Sequence, residues 1–244
     1  MPDPRARAQA ERYLRECTEY SSPYERDKLI ANWERKEAGA RSLAGDFEKR
    51  AGTLAGKRLL ELGFGSGLHI PAFVERGAAV TGLEVNGVLA DIARENLKER
   101  GVAAELYVYD GSRMPFEDAS FDYVFATTVL EHVSDMRNVL SEIGRILVPG
   151  GRAYLSFPNR WRLKESHTGY WFVSYLPREL AARYLRLRGS NAVEELNLHF
   201  VGYCPFVRAV RRAGLSVVFE ARYGSRSRRI LKGLLASLGL HHSV

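Results

Sequence analysis

Short apolar runs alternate along this chain with longer segments whose apolar residues recur at helical spacing. The first run, Leu59, Leu60 and Leu62, lies between charged residues and glycines, which predicts a short strand buried on both faces. Six such strands are predicted, at 57–63, 79–84, 103–109, 121–126, 152–157 and 215–220. Because helical patterns separate them, the sequence predicts an α/β fold, a doubly wound and mostly parallel sheet.

The helices between the strands have their own start and stop signals. One is predicted over 67–76, and Gly77 ends it. Asn86 is the predicted N-cap of the next helix, and Ser134 of the one after strand 4, which Pro149-Gly150-Gly151 should end. A last helix is predicted over 202–213.

The segment before the first strand reads as helical throughout. We predict a helix over 3–20, a second from the Ser22 N-cap to Gly39, and a third over 40–52. Ser22-Pro23-Tyr24-Glu25 combines an N-cap, a proline at the first helical position and a capping glutamate. We therefore divide the chain into a helical cap, 1–52, and a main domain, 53–244.

Residues 158–200 interrupt the alternation of strands and helices. This stretch holds aromatic residues with basic residues between them: Trp161, Tyr170, Trp171, Phe172 and Tyr175. An insertion after strand 5 leaves the sheet at its carboxyl edge, where ligands of such sheets bind. We therefore predict that 158–200 is a lid that recognises the ligand.

A glycine turn follows the first strand, in the order Glu61-Leu-Gly63-Phe-Gly65-Ser-Gly67. Glycines there let backbone N–H groups approach a ligand without a Cβ atom in the way. A dinucleotide site needs Gly-x-Gly-x-x-Gly, but Leu68 occupies the last position. The carboxylate of Glu61 would repel a pyrophosphate and suits a ligand that carries an amine and a sulfonium.

From about Lys57 to Pro158 the chain resembles the class I S-adenosylmethionine (SAM) methyltransferases, in the branch that includes quinone-biosynthesis enzymes. Four motifs in order carry the resemblance: 61–67, Gly82-Leu-Glu-Val85, Asp110-Gly-Ser-Arg-Met-Pro-Phe116, and Phe121-Asp-Tyr-Val124 through Pro149-Gly-Gly151. It implies SAM as cofactor, a Rossmann-like sheet of six or seven strands, and N-terminal helices that cover the cofactor, although a cap that only packs on the sheet is the alternative. The usual antiparallel seventh strand is hard to find after residue 220.

The resemblance also implies a set of cofactor-binding residues: Glu61, Gly63, Gly65, Gly67, Glu84, Asp110, Gly111, Ser112, Met114 and Thr127. Glu84 ends strand 2 and can accept both ribose hydroxyls, although an exposed strand-end acid is the alternative. Asp110 ends strand 3 and can accept the adenine amino group, with Gly111 or Ser112 donating and Met114 packing on the ring. A simple Asp-Gly turn is its alternative. Glu61 can hold the methionine ammonium or pair with Arg58 or His69.

Methyl transfer needs the acceptor, the methyl group and the sulfur in line, and an oxygen acceptor also needs a base. The catalytic candidates are His132, beside Glu131, and His167, near Glu165. A single histidine is more often a structural hydrogen-bonding group, so that alternative stays open for both. The sequence predicts no metal site.

Composition restricts the partners. The 244 residues carry a net charge of +7, concentrated beyond Asn159, which favours anionic partners or simply solubility. Two cysteines, Cys17 and Cys204, indicate a reducing cytoplasm. No apolar run has the length of a membrane span, and the N-terminus does not have the pattern of a signal peptide.

The expected acceptor is a small molecule, a sugar or a lipid-linked compound, methylated on O or N. Nucleic-acid bases are not expected, because the Asn/Asp-Pro-Pro-aromatic motif of base-methylating enzymes is absent after strand 4. An RNA-modifying enzyme and a catalytically silent SAM-binding adaptor remain the alternatives. The segment 226–240, with leucines on one face and arginines at its start, predicts peripheral membrane contact or simple packing on the sheet.

Overall fold

A computed structural model describes residues 4–16, 23–161, 163–165 and 167–217. Its centre is a sheet of five parallel strands in the order β3-β2-β1-β4-β5. The strands are β1 (Arg58–Leu62), β2 (Ala79–Glu84), β3 (Glu105–Val108), β4 (Phe121–Thr127) and β5 (Leu147–Ser156). The order reverses between β1 and β4, so a crevice opens there at the carboxyl edge. The α/β prediction is confirmed.

Helices cover both faces of this sheet. They are α1 (Pro4–Glu16), α2 (Pro23–Ala51), α3 (Ile70–Val74), α4 (Gly87–Glu99), α5 (Met136–Ile146), α6 (Arg178–Arg186), α7 (Ala192–Glu195) and α8 (Tyr203–Arg212). Leu59 and Phe125 face one core, and Leu60 and Val124 face the other. Alternate residues of β1 and β4 therefore enter opposite cores, as predicted for a strand buried on both faces.

The number of strands differs from the prediction of six or seven, since five form the sheet within the described residues. Residues 215–217 are not in a strand, and the rest of the predicted sixth strand lies outside the described residues. The segment 226–240 lies outside them as well. β5 begins at Leu147, earlier than predicted, because the strand accommodates Pro149 to Gly151 through an irregularity opposite Phe121 and Tyr123.

Three helix boundaries also differ from the prediction. α2 is one helix that continues through Gly39, because buried Trp33, Ala40 and Phe47 anchor it on both sides of that residue. α3 is shorter than predicted and begins only at Ile70. The N-cap of α5 is Asp135, whose carboxylate accepts from the N–H groups of residues 137 and 138, and not Ser134. The predicted Asn86 cap is confirmed.

The N-terminal helices and the insertion both reach the crevice. Tyr13 and Trp33 of α1 and α2 stack at 5.8 Å and pack with Leu68 and Ile92 beside the glycine turn. The insertion folds around a small core that includes Val173, Ala181 and Leu185. Backbone hydrogen bonds join the insertion to the residues after β4. Among the described residues, the helices are too short or too polar to cross a membrane.

Candidate active site

Two glycines of the turn lie so close to neighbouring residues that little or no room remains for a side chain at either position. Gly63 has a φ of +67°, and its N–H donates to the Leu83 carbonyl at 2.7 Å. A Cβ on Gly63 would lie 2.4 Å from Cγ2 of Val129. Gly67, at φ +72°, would place a Cβ 3.2 Å from that of Ala93 on α4. The turn therefore packs tightly between β4 and α4, which keeps its outer backbone open to a ligand.

Glu84 lies at the end of β2 and is held by the turn itself. The side chain is buried, and Oε2 accepts from the Gly65 N–H at 2.9 Å. Oε1 accepts from the N–H groups of Val85 at 2.8 Å and Asn86 at 3.1 Å. These three donors fix the carboxylate in one orientation over the crevice. Glu84 is thus a positioned group and not an exposed strand-end acid.

Glu61 is buried beneath the same turn. Its Oε1 lies 3.0 Å from Nδ1 of His69, and its Oε2 is buried without a hydrogen-bond partner among the described residues. Arg58, the other partner considered from the sequence, bonds to Asp122 instead. The pairing with His69 therefore exists, and it leaves one oxygen for a further donor.

Asp110 and its neighbours form an exposed loop after β3. Oδ1 of Asp110 accepts from both the backbone N–H and the hydroxyl of Ser112, at 2.9 and 2.5 Å. These hydrogen bonds from Ser112 hold the pKa of Asp110 below its usual value. Gly111 follows at φ +83°, and the side chain of Met114 is buried in the core, 1% exposed. The loop thus presents an ionised, oriented carboxylate.

Lys36 of α2 reaches into the crevice from above, and the sequence contained no signal for it. Its Nζ donates to the hydroxyl of Thr128 at 3.3 Å, next to Thr127 at the end of β4. The Lys36 residue is exposed as a whole, but desolvation by the crevice walls lowers the pKa of its ammonium, against the opposing effect of Glu61, Glu131 and Glu84. Lys36 therefore places a cation among carboxylates at the mouth of the crevice.

His132 and His167, 35 positions apart in the sequence, lie together beyond the carboxyl end of β4. Their rings meet edge to face, with centroids 5.1 Å apart. Nδ1 of His132 bonds to the Leu196 carbonyl at 2.6 Å, and Nδ1 of His167 to Oε1 of Glu165 at 3.1 Å. Nε2 of His167 lies 3.7 Å from Oε1 of Glu131. The two predicted histidines therefore form one cluster with their neighbouring glutamates.

Burial strongly shifts the pKa values of titratable groups in this cluster. Desolvation raises the pKa of Glu131 to about 7 and lowers that of His132 to about 4. Burial would also raise the pKa of Glu165, but the hydrogen bond and charge of His167, together with the backbone N–H groups of residues 167 and 168, outweigh it and lower the pKa to about 2. Strong perturbations of this kind are concentrated at functional sites.

The insertion is fastened to this cluster by its backbone. The His199 N–H donates to the Glu131 carbonyl at 2.6 Å, and the Asn197 side chain donates to the His132 carbonyl at 2.9 Å. Lys28 of α2 donates to the carbonyl of His167. The cap, the insertion and the end of β4 thus meet around the two histidines.

Comparison with known proteins identifies the central segment. The family described as "Methyltransferase domain" matches residues 60–155. The ubiquinone biosynthesis O-methyltransferase of Pseudomonas aeruginosa is 32% identical over 154 residues, 63% of this chain and 60% of the relative. The chain thus spans about three fifths of the length of the curated relatives it first matches.

Solved structures share the fold. Phosphoethanolamine N-methyltransferase 2 of Haemonchus contortus, solved with SAM, has a TM-score of 0.60 at 22% identity, over 81% of this chain and 42% of that one. The [4+2]-cyclase SpnF has a TM-score of 0.55 at 23% identity, over 75% and 58%. Since the two carry out different reactions, this likeness describes the fold and leaves the reaction to be argued from the site.

Proposed function

We propose that the chain is a class I SAM-dependent methyltransferase that transfers a methyl group from SAM to a small-molecule acceptor, since residues 60–155 match the family described as "Methyltransferase domain". The observation that carries the proposal is Glu84. A carboxylate fixed by three backbone N–H groups beside a glycine turn suits the two hydroxyls of a ribose. A pyrophosphate at the glycine turn would find the buried carboxylate of Glu61 beside it.

The remaining cofactor contacts follow from the same frame. Asp110, with Gly111 and Ser112, would bind the adenine, and Met114 would support the ring from the core side. The backbone of Gly63, Gly65 and Gly67 would line the ribose and the amino-acid portion. Glu61 and Thr127 would lie near the methionine ammonium. The unpartnered Oε2 of Glu61 supports this assignment, because a buried acceptor without a donor is costly.

Lys36 would bind the carboxylate of the cofactor. That carboxylate is the only anionic group of SAM, and Lys36 is the cation that α2 places beside Thr128, where the methionine end would lie. This contact gives the cap 1–52 a role in cofactor binding.

The acceptor would bind between the end of β4 and the insertion 158–200, which would act as its lid. We propose His132 and His167 as the catalytic residues, because they and Glu131 lie where this lid meets the core. The acceptor is a small molecule, a sugar or a lipid-linked compound, and the methylated atom is O or N. Two cysteines favour a cytoplasmic location.

The test is incubation of the full chain with methyl-labelled SAM and separate small-molecule, lipid and RNA fractions of a cell extract. Label in the small-molecule or lipid fraction, lost in the His167→Asn variant, supports the proposal. Label only in RNA favours the RNA alternative. SAM binding with no labelled fraction favours a silent adaptor and contradicts the proposed enzyme.

A further inference from the structure

Three potential metal ligands converge where the insertion meets the end of β4. Among the described residues, Glu131, His132 and His167 each offer one donor atom within 4.8 Å of the other two. Glu131 and His132 belong to one turn of 3-10 helix, Leu130–His132, and His167 comes from the insertion. The fold therefore assembles two imidazoles and one carboxylate from distant parts of the sequence.

Each imidazole makes a hydrogen bond through Nδ1, which leaves Nε2 available on both rings. The Leu196 carbonyl can only accept, so Nδ1 of His132 carries the proton and Nε2 carries a lone pair. Glu165 acts in the same way on Nδ1 of His167, and its other oxygen accepts from the backbone N–H groups of residues 167 and 168. A carboxylate or carbonyl behind each histidine is the usual support of metal-binding imidazoles.

Glu131 supplies the second, independent observation. Its side chain is 3% exposed, and neither carboxylate oxygen has a hydrogen-bond partner among the described residues. A buried carboxyl group without a partner is unfavourable, so it calls for a cation or a donor. A cavity of about 10 Å³ is lined by Glu131, Glu165 and His167 but not by His132, so it adjoins the three donor groups and does not lie between them. The cavity has roughly the volume occupied by a single water or ion.

Two acidic and two basic side chains surround the cluster. Glu131 and Glu165 face the cavity with two carboxylates, whereas Arg160 lines it and Lys36 acts on Glu131 from α2. Two imidazoles favour a transition metal over Mg²⁺ or Ca²⁺, which prefer oxygen ligands. Among the common ions, Zn²⁺ takes three protein ligands of this kind and keeps a fourth position open.

We propose that Glu131, His132 and His167 bind a divalent transition-metal ion, with Zn²⁺ as the ion that this donor set favours. Bonds of about 2.1 Å in a tetrahedral site place ligand atoms roughly 3.4 Å apart. Nε2 of His167 and Oε1 of Glu131 already lie 3.7 Å apart, and all three donor atoms lie within 4.8 Å of one another, so binding draws them closer by up to about 1.4 Å. The ion ties the insertion to the core. The open coordination position of the ion would contact the acceptor. This consequence rests on the proposed function.

The test uses the full chain after treatment with a chelator and dialysis. Zn²⁺ is titrated by calorimetry, and Co²⁺ is added separately as a spectroscopic probe. We expect one ion per chain, the visible absorption of tetrahedral Co²⁺, and a rise in the melting temperature. His167→Asn and Glu131→Gln should each weaken binding by at least about 100-fold, and Glu165→Gln by about 10- to 100-fold.

His199→Asn is the matched control, because this histidine borders the same cavity but its Nε2 is engaged with Asn197. It should bind the ion as the unmodified chain does. Absence of binding, or binding that persists in both His167→Asn and Glu131→Gln, overturns the proposal. Circular dichroism confirms that each variant is folded. Titration with S-adenosylhomocysteine reports the cofactor site separately, so failure of one proposal is distinguishable from failure of the other.

Discussion

Replacement of Glu84 by glutamine tests the ribose site most specifically. Both carboxylate oxygens accept from backbone N–H groups: one accepts from Gly65, and the other from Val85 and Asn86. Glutamine is nearly isosteric but has only one acceptor oxygen. The amide should direct its oxygen to the two N–H groups and its NH₂ to Gly65, because this orientation leaves one donor unsatisfied and not two.

The expected loss of cofactor affinity follows from the hydrogen bond that the substitution removes. A hydrogen bond to a charged group contributes about 1.5–3 kcal/mol, and the NH₂ group can no longer accept from one ribose hydroxyl. Loss of that bond weakens cofactor binding by roughly 10- to 150-fold, since each 1.4 kcal/mol is a factor of ten. The unsatisfied Gly65 N–H also costs about 1–3 kcal/mol of folding stability, part of which water recovers.

Calorimetric titration with S-adenosylhomocysteine measures the first effect and urea unfolding the second. Glu75→Gln is the control, because Glu75 is a more exposed carboxylate that pairs with Arg41 away from the crevice. If Glu84→Gln is folded and its dissociation constant stays within about twofold of the unmodified chain, the ribose role of Glu84 is wrong.

Three further outcomes are expected. Lys36→Met should weaken binding of SAM but not of decarboxylated SAM, and equal losses for both ligands would exclude the carboxylate contact. Gly63→Ala should lower the free energy of unfolding by about 2–5 kcal/mol, because the Cβ would lie 2.4 Å from Val129 at a positive φ. Gly56→Ala, also at positive φ but in open space, should cost only about 1–2 kcal/mol, and equal losses would exclude the contact with Val129. S-Adenosylhomocysteine should slow proteolysis after Arg186 and Arg188 in the insertion. A cleavage rate that is the same with and without the ligand would argue against a lid.

Sequence patterns predicted the elements whose signals are local. The strand β2 and the Asn86 cap need only neighbouring residues, and both are confirmed. The unbroken α2 could not be predicted, because packing of Trp33 and Phe47 on either side overrides the local preference of Gly39. The early start of β5 depends on pairing with β4, which no local pattern encodes.

In the candidate site, too, some residues could be predicted from local signals in the sequence and others could not. Glu84 and Asp110 follow from their positions at strand ends. That His132 and His167 share one cluster does not follow from the sequence, because the insertion must fold back through His199 and Asn197 to bring them together. Lys36 depends on how α2 crosses the crevice, so its role is visible only in three dimensions.

The central claim, a SAM site at the carboxyl edge of β1 and β2, is tested most directly by calorimetric titration of the full chain with S-adenosylhomocysteine and, separately, with NAD. The account predicts one S-adenosylhomocysteine per chain and no measurable heat of binding from NAD, because Glu61 and the position of Leu68 leave no place for a pyrophosphate. Binding of NAD as tight as or tighter than that of S-adenosylhomocysteine would contradict it.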